Sequence, residues 1–245
     1  MKITMHNTKE KGLVRNTLSD QVLDQLMDWI SNGELKMGDK LNADLLAKRL
    51  GVSRMPVREA LASLEKMGLA ETKPYIGTRL VVLTKEDIIE IYLIRMSLEP
   101  IAAKAACRKI TDEQVNNLSE IHSRYKEVVE KDIVDPMELY TINREFHFSI
   151  YKLSGLQRVC DIIESLWDNL SFFKLIYGQK LLDNAKSKNA MITEHESYLN
   201  ALKERDGDRL FKMLGTNIQK RTADIEYYRS GFFEDDEKKY SEQHK

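Results

Sequence analysis

Residues 51–68 read GVSRMPVREALASLEKMG, and their reading decides the fold. Ser53 stands where a helix wants its N-cap, and Pro56 falls in the first turn, where the amide that proline lacks would have had no intrahelical partner. Val57, Leu61 and Leu64 follow at spacings of four and three, a buried stripe on a short helix that Gly68 ends. Arg54 and Arg58 share a different face of it. On the N-terminal side, Leu18, Val22, Leu26, Trp29 and Ile30 carry a helical period over 17–33 that stops at Gly33, and Asn42 is placed to cap ADLLAKRL, which Gly51 closes. On the C-terminal side, LAETK and TRLVVL are short β-like runs joined by PYIG, where proline and glycine favour a tight hairpin. Helix, helix, helix, hairpin is the order of a winged helix-turn-helix, whose second paired helix is set to enter the DNA major groove.

From about Thr84 to Tyr228 the pattern is helical throughout: glycines are few, Pro100 and Pro136 are the only prolines, and no stretch alternates like a strand. Helices are expected near 86–109, 112–131, 136–153, 156–181, 185–204 and 208–229, with DPMELY a cap of Asp135, Pro136 and Glu138, and Gly155 and Gly207 as punctuation. The expected fold is mainly α: a flexible tail over 1–16, a winged helix-turn-helix over 17–83, an all-α antiparallel helical bundle over 84–230, and a charged tail over 231–245.

With 245 residues, 42% of them hydrophobic, the chain can bury a sizeable core in two ordinary domains. No apolar run approaches the roughly 18 residues of a membrane span, and MKITMHNTKEKGLVRN lacks the apolar centre of a signal peptide, so a cytoplasmic protein without membrane contact is expected. Cys107 and Cys160 have no paired zinc spacing and are too few for a disulfide framework. The net charge of −1 divides into 13 Lys+Arg against 10 Asp+Glu over residues 1–83, or +3, and 25 against 29, or −4, over the rest. So small an asymmetry names no partner by itself.

Arginine suits DNA because its planar fork can donate two hydrogen bonds to guanine O6 and N7 while its charge neutralises phosphate. Arg54 and Arg58 lie at the end of the helix that a groove admits most deeply, and Ser53 with the free amides of the first turn can hold a phosphate. On an arbitrary helix Arg58 and Glu59 would read more readily as solvated surface charge.

In the bundle, polar residues on otherwise apolar stripes are the informative ones. Arg95 and Glu99 interrupt the line Ile88, Ile91/Tyr92, Leu98, Ala102, Ala106; Asn143 and His147 lie four apart beside Leu139, Ile142, Phe146 and Ile150; His195 sits among Ile192, Leu199 and Leu202; Asn217 sits among Leu210, Leu214 and Ile218. Each alone has a plain reading, a satisfied core histidine or an Arg95–Glu99 pair. Together they suggest a polar cavity in which His147 and His195 can bind a metal and Arg95 can hold a carboxylate.

The stretch LLAKRLGVSRMPVREALASLEKMGLAETKPYIGTRL resembles the DNA-binding domain of the GntR family of bacterial transcription regulators, through its V-S-R-x-P-V-R-E-A-L core. The resemblance implies that Arg54 and Arg58 read operator bases, that Gly77 at the wing tip approaches the minor groove, and that Arg49 is a further contact. Met55 stands where threonine is common. IYLIRMSLEPIAAKAA, NREFHFSIYKLSG and TEHESYLNALKERDGD resemble the helical effector domain of the FadR-like branch, the FCD domain. Many such domains bind a divalent metal (zinc, nickel or manganese) through an Asp-x-x-x-His pair and two further histidines, with a small organic acid beside it. Those ligands fall on Asn143, His147, His195 and Asn217, where two asparagines replace the carboxylate and the last histidine and bring no charge. The expected protein is a ligand-responsive repressor, a homodimer on a palindromic operator in double-stranded DNA, controlled by a small carboxylate effector held by Arg95 and Glu99. Two alternatives stand beside it. One is a FadR-type regulator binding an acyl thioester in a metal-free bundle. The other is a metal-dependent enzyme, disfavoured because HExxH, GxSxG and GxGxxG are all absent.

Overall fold

The computed structural model describes residues 17–171, 173–175 and 185–227. The expected tails over 1–16 and 231–245, and the part of the expected helix over 176–181, lie outside the described residues. Three helices, α1 (Leu18–Ser31), α2 (Ala43–Leu50) and α3 (Arg54–Lys66), precede a hairpin of β1 (Ala70–Lys73) and β2 (Gly77–Leu80). Among the described residues the longer helices that follow are α4 (Lys85–Cys107), α5 (Asp112–Glu130), α6 (Pro136–Tyr151), α7 (Gln157–Asn169), α8 (Ala185–Lys203) and α9 (Gly207–Tyr227). The mainly α class and the winged-helix-then-bundle order are those the sequence implies.

Local chemistry explains where the helices begin. Thr17, Thr84 and Thr111 form reciprocal capping boxes with Asp20, Asp87 and Gln114. Asn42 accepts from the amides of Asp44 and Leu45 at 2.9 and 3.2 Å, and Asp135 from Met137 at 2.8 Å with Pro136 behind it. At α3 the structure departs from the simple expectation. Ser53 occupies the N-cap, but its hydroxyl makes no cap hydrogen bond. The third helical residue, whose amide a capping hydroxyl commonly takes, is Pro56, which has none. The Ser53 hydroxyl is left exposed at the tip of α3.

Antiparallel pairing sets Ala70 opposite Leu80 and Lys73 opposite Gly77, and Leu41 and Lys40 attach the loop before α2 to the hairpin's outer edge. The wing tip turns with Tyr75 and Gly77 both at positive φ, 65° and 92°.

Two cores result. Val22, Leu26, Ile30, Val57, Leu61, Leu64, Leu69 and Leu80 fill the first, while Ile88, Tyr125, Phe146, Tyr151, Trp167, Leu202 and Leu210 belong to the second. In the bundle α9 lies along α4, and α5 against α6 and α8. The division near residue 83 is incomplete. Leu175 is buried in the first core, and Met137 and Tyr140 pack on that core as well. The expected helix over 156–181 is also interrupted: α7 ends at Asn169, Leu170 forms a turn, and helix resumes at 171 and 173–175. Just before the interruption the carbonyl of Asp168 faces Gly68, which has φ +69°. A Cβ on Gly68 would lie 2.4 Å from that oxygen, so the end of α3 docks backbone against backbone on the end of α7.

Candidate functional site

The exposed end of α3 carries Ser53, Arg54, Met55 and Arg58, all open to solvent. Burial of Pro56, Val57, Ala60, Leu61 and Leu64 on the other side turns this face outward. Arg54 is paired with Asp44 of α2, both half exposed or more. Arg49 stacks its guanidinium 3.6 Å from the centre of the Trp29 ring and pairs with Glu34 at 2.5 Å. Its head is therefore held by the protein's own groups, unlike that of Arg58, for which the described residues provide no ion pair. Gly77 stands at the exposed start of β2, with Lys40 alongside.

The second candidate is a cavity of about 140 Å³ inside the bundle, and the six residues singled out there, Arg95, Glu99, Asn143, His147, His195 and Asn217, all line it. Arg95 and Glu99 lie one turn apart on α4. Arg95 Nε donates to Glu99 Oε1 at 2.6 Å, Trp167 Nε1 donates to the same oxygen at 2.7 Å, and Tyr151 OH donates to Oε2 at 2.8 Å. Burial works against charge on Glu99, but the Arg95 guanidinium beside it holds the carboxyl below its ordinary range. Glu99 is thus fully bonded and serves as an anchor for two cavity-lining side chains, Arg95 and Trp167, and for the buried Tyr151. The Arg95 head group finds its anion within the protein, so a ligand is not needed to neutralise it. One guanidinium nitrogen, Nη1, remains buried without a partner.

Tyr151 links this cluster to His147. Its hydroxyl proton goes to Glu99, so at the 3.2 Å contact with His147 Nδ1 it must accept, which assigns the proton to Nδ1 and leaves Nε2 with a lone pair. His195 meets His147 nearly edge to face at 5.0 Å and stacks on Phe146 at 4.3 Å; its Nδ1 is buried without a partner. Both imidazoles are pushed well below the ordinary histidine range: His147 by burial and then by Lys174 and Arg95, His195 by burial and then by His147, His122 and Arg221. Asn217 Nδ2 donates to Tyr198 OH at 2.7 Å.

This chemistry does not fit a resident divalent ion. The expected ligands are two neutral imidazoles and two carboxamides, which offer no charge. Among the described residues no three His, Cys, Asp or Glu side chains converge. The same cavity contains three cationic side chains, Arg95, Lys174 and Arg221. The absence of a carboxylate at Asn143 is legible in the sequence; the presence of Lys174 is not, because its helix follows the unforeseen turn at Leu170. Trp167, Tyr151 and Tyr198 were likewise hidden among ordinary core aromatics.

The neutral histidines imply a pH dependence of stability. In the unfolded chain both titrate near pH 6.5, whereas the fold keeps them unprotonated below that value, so protons favour unfolding. Stability is expected to be fully present above about pH 6.5 and to fall below it, each histidine adding up to about 1.4 kcal/mol per pH unit. Urea denaturation between pH 7 and 5 measures this, and His195→Phe should lose about half of the histidine-dependent slope; an unchanged slope would refute it.

No helix among the described residues is long and apolar enough to cross a membrane. The model of bacterial regulatory proteins of the gntR family matches residues 18–80, and that of the FCD domain matches residues 90–219. The HTH-type transcriptional regulator McbR of Escherichia coli is 30% identical over 207 residues, which cover 84% of this chain and 92% of that protein. The gluconate operon transcriptional repressor of Bacillus licheniformis is 28% identical over 228 residues, covering 89% and 88%. The solved structure of E. coli McbR/YncC superposes with a TM-score of 0.62 at 29% identity, over 86% of this chain and 98% of that one. Lar of Listeria monocytogenes, at 17% identity and a TM-score of 0.60 over 89% and 100%, shares the fold.

Proposed function

Because the chain belongs to the GntR family of bacterial regulatory proteins and carries an FCD domain, we propose that it is a repressor that binds a palindromic operator as a homodimer and is controlled by a small organic acid in the bundle cavity. It is a transcriptional regulator and not an enzyme. The observation that carries the reading is the pairing of an outward arginine face on α3 with one polar cavity in a domain that docks directly on it. Ser53 offers a phosphate its unengaged hydroxyl, Arg54 and Arg58 face base edges, and Arg49 and Gly77 flank them. Docking requires Arg54 to exchange Asp44 for DNA. The twofold operator follows from a symmetric dimer, for which α4 offers exposed Leu93, Ile94 and Ile101. Repression accords with the gluconate operon repressor among its relatives.

The cavity, at about 140 Å³, suits a small effector better than a long acyl thioester. A ligand changes DNA affinity only by binding two conformations unequally.

The test is fluorescence anisotropy of the full chain on a site selected from random-sequence DNA. Arg54→Ala and Arg58→Ala are each expected to weaken the specific complex by about 1–3 kcal/mol with unchanged melting. Normal binding by both variants would sink the assignment of α3.

A further inference from the structure

The charges around the cavity are unevenly matched. Arg95 is paired with Glu99 at 2.6 Å and Arg221 with Glu194 at 3.4 Å. Lys174 is the third cationic side chain of the lining, and the described residues provide no carboxylate within ion-pair distance of it. Its ammonium lies 3.0 Å from the centre of the Trp167 ring, against which the Arg95 guanidinium also stands at 4.7 Å. The nearby Glu99 oxygens are already occupied by Arg95, Trp167 and Tyr151. Two buried polar atoms in the lining lack partners, Arg95 Nη1 and His195 Nδ1, on side chains only 5% and 2% exposed. A buried polar atom without a hydrogen-bond partner is costly, and two at one cavity, the Arg95 donor and an imidazole nitrogen, mark where a ligand's polar atoms would be stabilised. Much of the remaining wall is apolar or aromatic, including Tyr92, Tyr125, Leu139, Met191, Leu214 and Ile218.

We propose that this cavity is a metal-independent receptor for a small monocarboxylate with an aromatic or branched apolar body, and that Lys174 reads its charge. The inference rests on the effector reading above and names its ligand class. One unmatched cation calls for one negative charge; a second carboxylate on the ligand would have to displace Glu99 or Glu194 from its arginine. Arg95 Nη1 supplies a further donor to the same carboxylate without giving up Glu99, because its pairing uses Nε and Nη2. The apolar wall takes the body of the ligand. A divalent ion would have to enter beside Lys174 and Arg95, where the lining carboxylates Glu99 and Glu194 are already paired with arginines, so the acid binds without one. Burial, and then Arg95, push the Lys174 ammonium well below the ordinary lysine range, which is the situation a bound anion relieves.

The test uses calorimetry on the full-length protein in the presence of a chelator. The probes are acetate, isobutyrate, benzoate and phenylacetate, with benzamide as the neutral counterpart of benzoate, and succinate and citrate as multiply charged acids. At least one of the larger monocarboxylates is expected to bind, benzamide to bind about tenfold or more weakly than benzoate, and succinate and citrate to bind more weakly still. Replacing the chelator with zinc, nickel or manganese should leave the affinity unchanged. Lys174→Met should lose about tenfold or more, and Lys174→Arg should retain binding, with circular dichroism establishing that both variants are folded. Failure of every monocarboxylate, a requirement for metal, preference for citrate, or undiminished binding by folded Lys174→Met would each overturn the proposal. Adding the same acids to the protein–DNA complex separates the two readings: an acid that binds through Lys174 without altering DNA affinity refutes effector control and leaves this site standing.

Discussion

Glu99→Ala is expected to destabilise the helical domain by about 3–5 kcal/mol, the scale on which a buried ion pair loses one member. Its carboxylate is fully buried and accepts from Arg95, Trp167 and Tyr151, so truncation leaves a buried guanidinium without its anion and two more donors without acceptors. Tyr151 would also release its hold on the His147 tautomer. Urea denaturation at pH 7 checks the value. A double variant, Arg95→Met with Glu99→Leu, should recover a large part of the loss, because removing both charges costs far less than removing one. A Glu99→Ala protein within about 1 kcal/mol of the wild type would mean that the cluster is hydrated and not the anchor described here.

Gly68→Ala should be nearly as damaging for a different reason. The residue adopts φ +69°, a region that costs an L-residue about 1–2 kcal/mol, and the added methyl would sit 2.4 Å from the Asp168 oxygen and 3.0 Å from its carbonyl carbon. Both neighbours are backbone and cannot step aside as a side-chain end would. Strain and overpacking together give an expected loss of about 2–4 kcal/mol, concentrated where α3 meets α7. Thermal melting measures the loss, and limited proteolysis shows whether the two domains have separated. An alanine variant that melts with the wild type would remove the docking contact from consideration.

Gly68 also shows what the sequence could and could not convey. Its role as a helix end is legible from the apolar stripe it follows, but the approach of Asp168 joins residues a hundred positions apart, and no local pattern records it. The caps at Asn42 and Asp135, the hairpin and the winged-helix order follow from spacing, since each is decided within a few residues. The cavity is partly legible for the same reason: Arg95, Asn143, His147, His195 and Asn217 each break a periodic apolar stripe. Whether Glu99 faces Arg95 or the open space is a question of side-chain packing, and the answer, full occupation by three donors, depends on Trp167 and Tyr151 from other helices. The expected phosphate end of α3 also needed the structure, because the unused Ser53 hydroxyl is explained only once Pro56 is placed at the third helical position.

Lys174 and Leu175 are consecutive, yet the first lines the cavity and the second is buried in the core beneath the winged helix. That adjacency limits how such a chain can be recombined. A crossover at residue 83, the obvious seam between the two halves, would hand a foreign effector domain to a reading head whose core still expects the side chain of Leu175 and the flanking contacts of Met137 and Tyr140. Grafts that preserve those three positions keep the notch filled; grafts that do not leave a void of the kind that lowers stability in proportion to its volume. The portable unit is therefore larger than the winged helix, and it takes with it the residue next to the one that would sense the ligand.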